Sequence, residues 1–307
     1  MEQRLQFQIS STDVIDQRLD RFLASRLGWL SRMRIGSLVL QGACVVNKEV
    51  AAPGYHLRLG DVVEITIDEG GPTAMTPEAI PLDIAYEDAY IIVINKPAGM
   101  LVHPTRTEKS GTLANALAYH LNRDAIAVAA HTARPPIRPG LVHRLDRATS
   151  GLMVVAKIER ALSILTRHFH RRLVDKRYLA LVHGRIEEDS MTIDAPIGRN
   201  PEAHPKWNVS IAGKPAETRL RVIERGARTT LVELEPVTGR TNQLRIHCAH
   251  VGHAILGDDW YAEDEIPRLC LHASRLSFHH PSGGDWLEFS SPLPEEFLHL
   301  FIGSLIQ

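Results

Sequence analysis

The amino-acid sequence predicts an α+β protein in two parts: a small N-terminal α/β unit and a larger domain on a mixed, mainly antiparallel sheet. Three observations carry this. A helix, helix, strand, strand order fills residues 13–67. A Gly/Pro-rich break, Glu69-Gly70-Gly71-Pro72-Thr73-Ala74-Met75-Thr76-Pro77, follows it. From residue 79 onward the pattern is strand-rich and lacks the regular strand–helix alternation of a parallel sheet. The boundaries are set at 13–67 for the small unit, 68–78 for the linker and 79–307 for the large domain.

In the small unit, Leu19, Phe22, Leu23 and Leu27 lie at helical spacing, and Gly28 ends that helix. Ser31 is placed to cap a second helix whose inner face carries Ile35, Leu38 and Val39. Cys44-Val45-Val46-Asn47 and Asp61-Val62-Val63-Glu64-Ile65 read as two short strands. Arg18, Arg21, Arg26, Arg32 and Arg34 face a single acid, Asp20, across the two helices. A solvated helix face and a phosphate-binding face both fit that charge pattern.

In the large domain, Ile91-Ile92-Val93-Ile94 reads as a buried strand ending at Asn95-Lys96-Pro97-Ala98-Gly99. Residues 131–140 hold three prolines and a glycine and read as a loop. Leu152-Met153-Val154-Val155-Ala156 is a second buried strand. A helix follows, with Ala161, Leu162, Leu165 and Phe169 inward and Arg160, Arg167, Arg171 and Arg172 mostly outward. Tyr178-Leu179-Ala180-Leu181-Val182 is the next strand. Thr218–Val222 and Thr230–Glu235 alternate in polarity and suggest an antiparallel pair. Gly239 breaks the chain and Thr241 can start a helix.

Composition narrows the classes. The chain has 307 residues, 44% of them hydrophobic, enough for a sizeable core. Net charge is -1, so any case for nucleic acid must come from local clusters. The three cysteines, Cys44, Cys248 and Cys270, are odd in number and far apart, which fits a reduced, cytoplasmic protein. No apolar run reaches the length of a membrane span, and the N-terminus lacks the apolar core of a signal peptide.

One stretch stands out chemically. Leu141-Val142-His143-Arg144-Leu145-Asp146-Arg147-Ala148-Thr149-Ser150-Gly151 sets one carboxylate between two arginines in a turn-rich segment. Arg134 and Arg138 precede it. An Asp beside Thr-Ser-Gly commonly makes a turn or an Asx cap. Wrapped in cations, it is also held ionised and ready as a nucleophile or base.

These residues resemble the active-site motif of the RluA/RluD-type large-subunit ribosomal RNA pseudouridine synthases. His143-Arg144-Leu145-Asp146 with Thr149-Ser150-Gly151 carries the match. The resemblance implies that Asp146 is the catalytic residue and that Arg144 enters the RNA stack as the target base leaves. Asp175-Lys176-Arg177-Tyr178, entering an apolar strand, resembles the second motif, which implies that Tyr178 packs on the uracil and acts on its proton. Gly239-Arg240-Thr241-Asn242-Gln243-Leu244-Arg245-Ile246-His247 resembles the segment whose arginine pairs with the catalytic Asp, here Arg245. The family usually has His where this chain has Asn242, which implies altered local hydrogen bonding. Cys270-Leu271-His272-Ala273 implies Leu271 as an apolar wall of the base pocket. Asn95–Pro104 and Gly252–Asp258 are weaker matches, the latter with Ala254 in place of Pro.

The small unit resembles the RNA-binding domain named after ribosomal protein S-four, through Leu30-Ser31-Arg32, Gly42–Asn47 and Leu57–Val63. That implies phosphate contacts from Arg18, Arg21, Arg32 and Arg34. The whole implies an RNA pseudouridine synthase fold and activity, an RNA partner (ribosomal RNA first, transfer RNA as the alternative), no cofactor and no metal; a monomer is the default expectation. His247, Cys248, His250 and His253 are close in sequence and look like metal ligands, but no second cluster has finger spacing. A non-catalytic RNA-binding or ribosome-assembly factor would be marked by loss of Asp146, Tyr178 or Arg245, and all three are present. An Asp-dependent glycosidase would need a second carboxylate across the scissile bond, and none stands out near the motifs.

Overall fold

The computed structural model describes residues 2–10, 17–27, 30, 32–52, 54–68, 76–105, 107–127, 138–199 and 207–305. The chain divides into two compact units. One is Met1–Ala79 with Thr105–Ser110 and Leu117–Arg138; the other is Ile80–Pro104, Gly111–Ala116 and Pro139–Gln307.

The first unit holds β1 (Glu2–Gln8), α1 (Leu19–Arg26), α2 (Arg32–Leu40), β2 (Cys44–Val46), β3 (Glu49–Val50) and β4 (Val62–Asp68). The strands form an antiparallel sheet in the order β1-β4-β2-β3. The spacing-based core is as expected: Leu19, Phe22, Leu23, Leu27, Ile35, Leu38 and Val39 are all buried. Gly28 and Ser31, the expected stop and cap, lie outside the described residues. β1 starts ahead of residue 13, so the unit is larger than 13–67. It pairs along all of β4, from Glu2 opposite Asp68 to Gln8 opposite Val62. Its alternation, Arg4-Leu5-Gln6-Phe7, is a period-two signal. Between β2 and β3, Asn47 (φ 53) and Lys48 (φ 73) form a two-residue turn with both residues left-handed, which matches strand twist. The Asn47 side chain ties the turn to the start of β4: its amide donates to Asp61 Oδ1 at 2.8 Å and its carbonyl accepts from the Val62 N–H at 2.9 Å.

The second unit contains β5 (Ile84–Glu87), β6 (Ile91–Lys96), the start of α3 (Leu113–Ala127), β7 (Gly140–Leu141), β8 (Ser150–Ala156), α4 (Glu159–His170), β9 (Asp175–His183), β10 (Ser190–Asp194), β11 (Ile197–Arg199), β12 (Trp207–Val209), β13 (Glu217–Arg225), β14 (Thr229–Pro236), α5 (Gln243–His250), β15 (Leu271–His279), β16 (Trp286–Ser290) and α6 (Glu295–Leu305). Ten strands make one sheet, ordered β10-β13-β14-β9-β15-β8-β6-β5, with β16 on β15 and β7 on β8. Among its described pairs only β8 and β15 run parallel, so the sheet is mixed and mainly antiparallel. β11 and β12 form a separate ribbon.

β8 is buried at every position, and Ile91 to Ile94 of β6 are buried too, so these strands read as unbroken apolar runs. β13 and β14 pair as their alternation predicts. Helices α3 and α6 have no counterpart in the expected elements. α3 begins with Leu113, Ala114, Ala116 and Leu117 all buried, which erases the one-sided stripe that marks a surface helix. Its start is nonetheless encoded. The Asn115 N–H donates to Thr112 Oγ1 at 3.4 Å, and the Thr112 N–H donates to Asn115 Oδ1 at 3.2 Å, a reciprocal cap.

Gly151 decides where the central strands meet. Its φ is +114°, and a Cβ there would lie 2.3 Å from the Ala273 carbonyl oxygen. Only glycine lets β8 approach β15 this closely. That contact, Ser150 opposite His272 and Gly151 opposite Ala273, joins the segment after Asp146 to the strand that carries Leu271.

Candidate active site

A cavity of about 840 Å³ opens in the second unit, and Arg144, Asp146, Tyr178, Arg245 and Leu271 all line it. Four separate segments deliver them. Asp146 sits in the loop between β7 and β8. The Lys96 ammonium donates to the Arg147 carbonyl at 3.2 Å, and the Gly99 N–H donates to the same oxygen at 2.8 Å, so the loop is tied to the end of β6. The Thr149 N–H closes the turn on the Asp146 carbonyl at 3.2 Å. Tyr178 on β9 pairs with Ala273 on β15, and Leu271 pairs with Ala180, so all four side chains share one face. Arg245 projects from α5.

The electrostatics differ from the expectation at Asp146. Its pKa is raised, because burial penalises the carboxylate more than Arg245, Arg144 and Lys96 together favour it; Asp258 adds to the rise. The basic setting limits the shift and does not reverse it. Tyr178 is held well above the ordinary phenol range, first by burial and then by the Asp146 charge, so its hydroxyl stays protonated at neutral pH. Sequence position alone does not single out Lys96. It is buried to 1% exposure and its pKa falls to about 8, through burial opposed by Asp146. Its ammonium also donates to the carbonyls of Pro97 at 2.7 Å and Met100 at 2.9 Å. The signal in the sequence is a lysine at the end of an apolar strand.

Arg245 also departs from expectation. Its fork grips Asp258, with Nε to Oδ2 at 2.7 Å and Nη2 to Oδ1 at 2.6 Å, and Nη2 reaches Asp259 at 2.6 Å. No hydrogen bond joins it to Asp146 among the described residues; the two interact through their charges. The reason is that the Asp258 side chain is fully buried, where a charged group needs a partner within hydrogen-bond reach. Asp258 also accepts the N–H groups of Trp260 and Tyr261, both at 3.0 Å. The Arg245 guanidinium lies 5.2 Å from the Trp260 ring centre and 5.4 Å from that of Tyr261. Burial pulls its pKa down, the Asp258 hydrogen bonds and charge pull it up, and the net shift is upward.

The turn into α5 is built from side chains. The helix starts at Gln243, two residues after Thr241. Asn242 takes a left-handed conformation (φ 52°), which Asn tolerates better than most residues, and it bonds to Tyr261. Gln243 is a saturated hub. Its carbonyl accepts from Thr238 Oγ1 (2.6 Å) and the Arg240 N–H (3.0 Å), and its amide donates to the Glu217 carbonyl (2.8 Å) and Thr218 Oγ1 (3.0 Å). His247 has both ring nitrogens engaged, with Thr218 Oγ1 and the Ala195 carbonyl, each at 2.9 Å. His253 Nδ1 bonds to the His183 carbonyl at 2.8 Å. Among the described residues no group of three His, Cys, Asp or Glu is placed to hold a metal.

The N-terminal arginines belong to the other unit. Arg18 is engaged with Asp20 through two 3.0 Å hydrogen bonds, so its fork is committed within its own helix end. Arg21 and Arg34 are exposed. The Arg32 side chain lies outside the described residues.

Residues 90–250 match the family described as RNA pseudouridylate synthase, and residues 17–63 match the S4 domain. The chain is 38% identical over 294 residues to an uncharacterized RNA pseudouridine synthase of Bacillus subtilis, covering 95% of each protein. It is 37% identical to the ribosomal large subunit pseudouridine synthase D of Pasteurella multocida, covering 93% of this chain and 90% of that one. Among solved structures, human RNA pseudouridylate synthase domain containing 1 is similar with a TM-score of 0.57 at 32% identity, covering 70% of this chain and 85% of the other.

Proposed function

The chain belongs to the RNA pseudouridylate synthase family and is an RNA pseudouridine synthase carrying an S4 domain; from that premise we propose that it isomerises uridines of large-subunit ribosomal RNA, with Asp146 as the group that opens the reaction. The observation that carries the assignment to Asp146 is the convergence of Asp146, Tyr178, Arg245, Leu271 and Arg144 on one cavity. Its volume lies within the range of about 300–1,000 Å³ usual for ligand pockets.

The reaction breaks the bond between the ribose C1′ and uracil N1 and forms a bond from C1′ to C5. C5 loses a proton and N1 gains one, so atoms and electrons balance within the substrate. Asp146 acts in its ionised form, as nucleophile or base. Arg245, fixed on Asp258, supplies a permanent positive charge that favours that form without holding the carboxylate in a fork. Tyr178, protonated at neutral pH, packs on the base and is positioned to take part in proton transfer. Leu271 is the apolar wall of the base pocket. The uridine must first leave its stack, at about a few kcal/mol. Arg144, exposed at the mouth of the cavity, fills the space it vacates. Arg21 and Arg34 of the S4 domain contact phosphates and position the RNA without reading its sequence.

The choice of large-subunit ribosomal RNA rests on the relative from Pasteurella multocida, whose name states that substrate. Pseudouridine mapping of total RNA from cells with and without the protein tests it. Loss of one or more sites in large-subunit ribosomal RNA is the expected result. Loss confined to transfer RNA would overturn the substrate while leaving the chemistry.

A further inference from the structure

The arginines of the second unit differ in their partners. Arg177, Arg185, Arg219, Arg221, Arg225, Arg245 and Arg268 each sit in an ion pair with a carboxylate. Arg160, Arg167, Arg171 and Arg172 have no such pair among the described residues and are exposed, as are Arg144, Arg199, Arg228 and Arg275. The first four come from one element, α4 and its C-terminal end. Residues 160, 167 and 171 are spaced by seven and four, so they fall within a narrow stripe of the helix over about 16 Å of its length.

α4 has three distinct faces. Ala161 and Leu165 face the core. Thr166, Phe169 and His170 line the active-site cavity. The arginine stripe borders the cavity face on the side away from the core, and Arg172, just past the helix, lines the cavity itself. The helix also connects β8 to β9, so it is tethered to the strands that carry the Asp146 loop and Tyr178.

Helix stability does not account for the stripe. Cations near the C-terminal end complement the helix dipole, which covers Arg167 and Arg171. Arg160 lies in the first turn, where the dipole disfavours a cation. The unneutralised charge is felt nearby. The His168 pKa is lowered by burial, then by His279 and by Arg167 and Arg171, and that of Lys176 by burial and in part by Arg172.

We infer that the outer face of α4, through Arg160, Arg167 and Arg171, is an RNA-contact surface that holds phosphates flanking the flipped uridine. The inference rests on the reading that the substrate is a structured RNA. Phosphate oxygens suit it because guanidinium forks match their geometry and, among the described residues, none of the three arginines is in an ion pair with a carboxylate. Arg172 and Arg144 continue the positive path from the helix surface into the cavity.

The test uses the full-length protein and in vitro transcribed large-subunit ribosomal RNA, with binding measured from about 50 to 200 mM salt. The triple variant Arg160→Gln/Arg167→Gln/Arg171→Gln should flatten the slope of log affinity against log salt by about 2 to 3. It should raise KM and leave kcat unchanged. The control Arg219→Gln/Arg221→Gln removes two cations already neutralised by Glu235 and Glu233 and should leave the slope unchanged. Circular dichroism and the melting temperature check that both variants fold. An unchanged slope in the triple variant, or an equal flattening in the control, overturns the inference. Absence of pseudouridine formation by the wild type on this RNA would instead overturn the substrate reading, since the binding slopes are read independently of turnover.

Discussion

Replacing Gly151 with alanine should damage both the fold and the chemistry, because one backbone contact serves both. The φ of +114° is costly for any residue with a Cβ, about 1–3 kcal/mol. The added methyl would lie 2.3 Å from the Ala273 oxygen and 2.5 Å from its nitrogen, both backbone atoms that cannot swing aside. β8 and β15 must part by roughly 1 Å to restore ordinary contact. Their parallel pairing spans two residue pairs, so its hydrogen bonds are lost or stretched, for a further ~1–3 kcal/mol. The total, about 2–6 kcal/mol, is a large share of the ~5–15 kcal/mol that stabilises a typical domain. Urea denaturation of wild type and Gly151→Ala measures it. Asp146 lies five residues upstream, in the loop that leads into β8, so a shift of about 1 Å should also lower kcat by about 10²-fold. A variant within about 0.5 kcal/mol of wild type and fully active would refute the claim that this approach sets the loop.

Three further outcomes follow from the charges. Because the Asp146 pKa is raised in the folded state, ionising it costs stability as pH rises through that value, and the cost vanishes below the unfolded pKa of about 3.9. Asp146→Asn should therefore be more stable than wild type at pH 7 and equal to it near pH 3.5; a less stable variant at pH 7 would contradict the burial argument. Asp258→Ala strands the buried Arg245 charge beside the exposed Asp259 and should cost about 3–5 kcal/mol by denaturation, against little change for Asp259→Ala. Tyr178→Phe keeps the ring and removes the protonated hydroxyl, so RNA affinity should hold while kcat drops by about 10²–10⁴-fold; unchanged kcat would confine Tyr178 to packing.

Local signals in the chain were legible and long-range ones were not. The buried strands β6 and β8 are continuous apolar runs, and the α4 core stripe is a simple helical spacing, so each is visible within a dozen residues. The motifs around Asp146, Tyr178, Arg245 and Leu271 are equally local, and their shared cavity follows from family likeness. What pairs with what is another matter. Arg245 and Asp146 have opposite charges and matching motifs, yet the fork goes to Asp258, because a fully buried carboxylate competes more strongly than one at a cavity wall. Gly151 looks like any turn glycine until β15 returns from far along the chain to press against it. The Asp146 environment departs from expectation for the same reason: nearby arginines are written in sequence, whereas desolvation comes from the assembled fold. β1 is legible in its alternation, although it stands before the helices that define the small unit.

The most direct test of the account is pseudouridine formation by Asp146→Asn in large-subunit ribosomal RNA, measured beside RNA affinity and melting temperature. The account predicts no detectable product, affinity near that of wild type and a melting temperature at pH 7 that is equal or higher. Product formed at an appreciable rate by a folded, RNA-binding Asp146→Asn protein would contradict it.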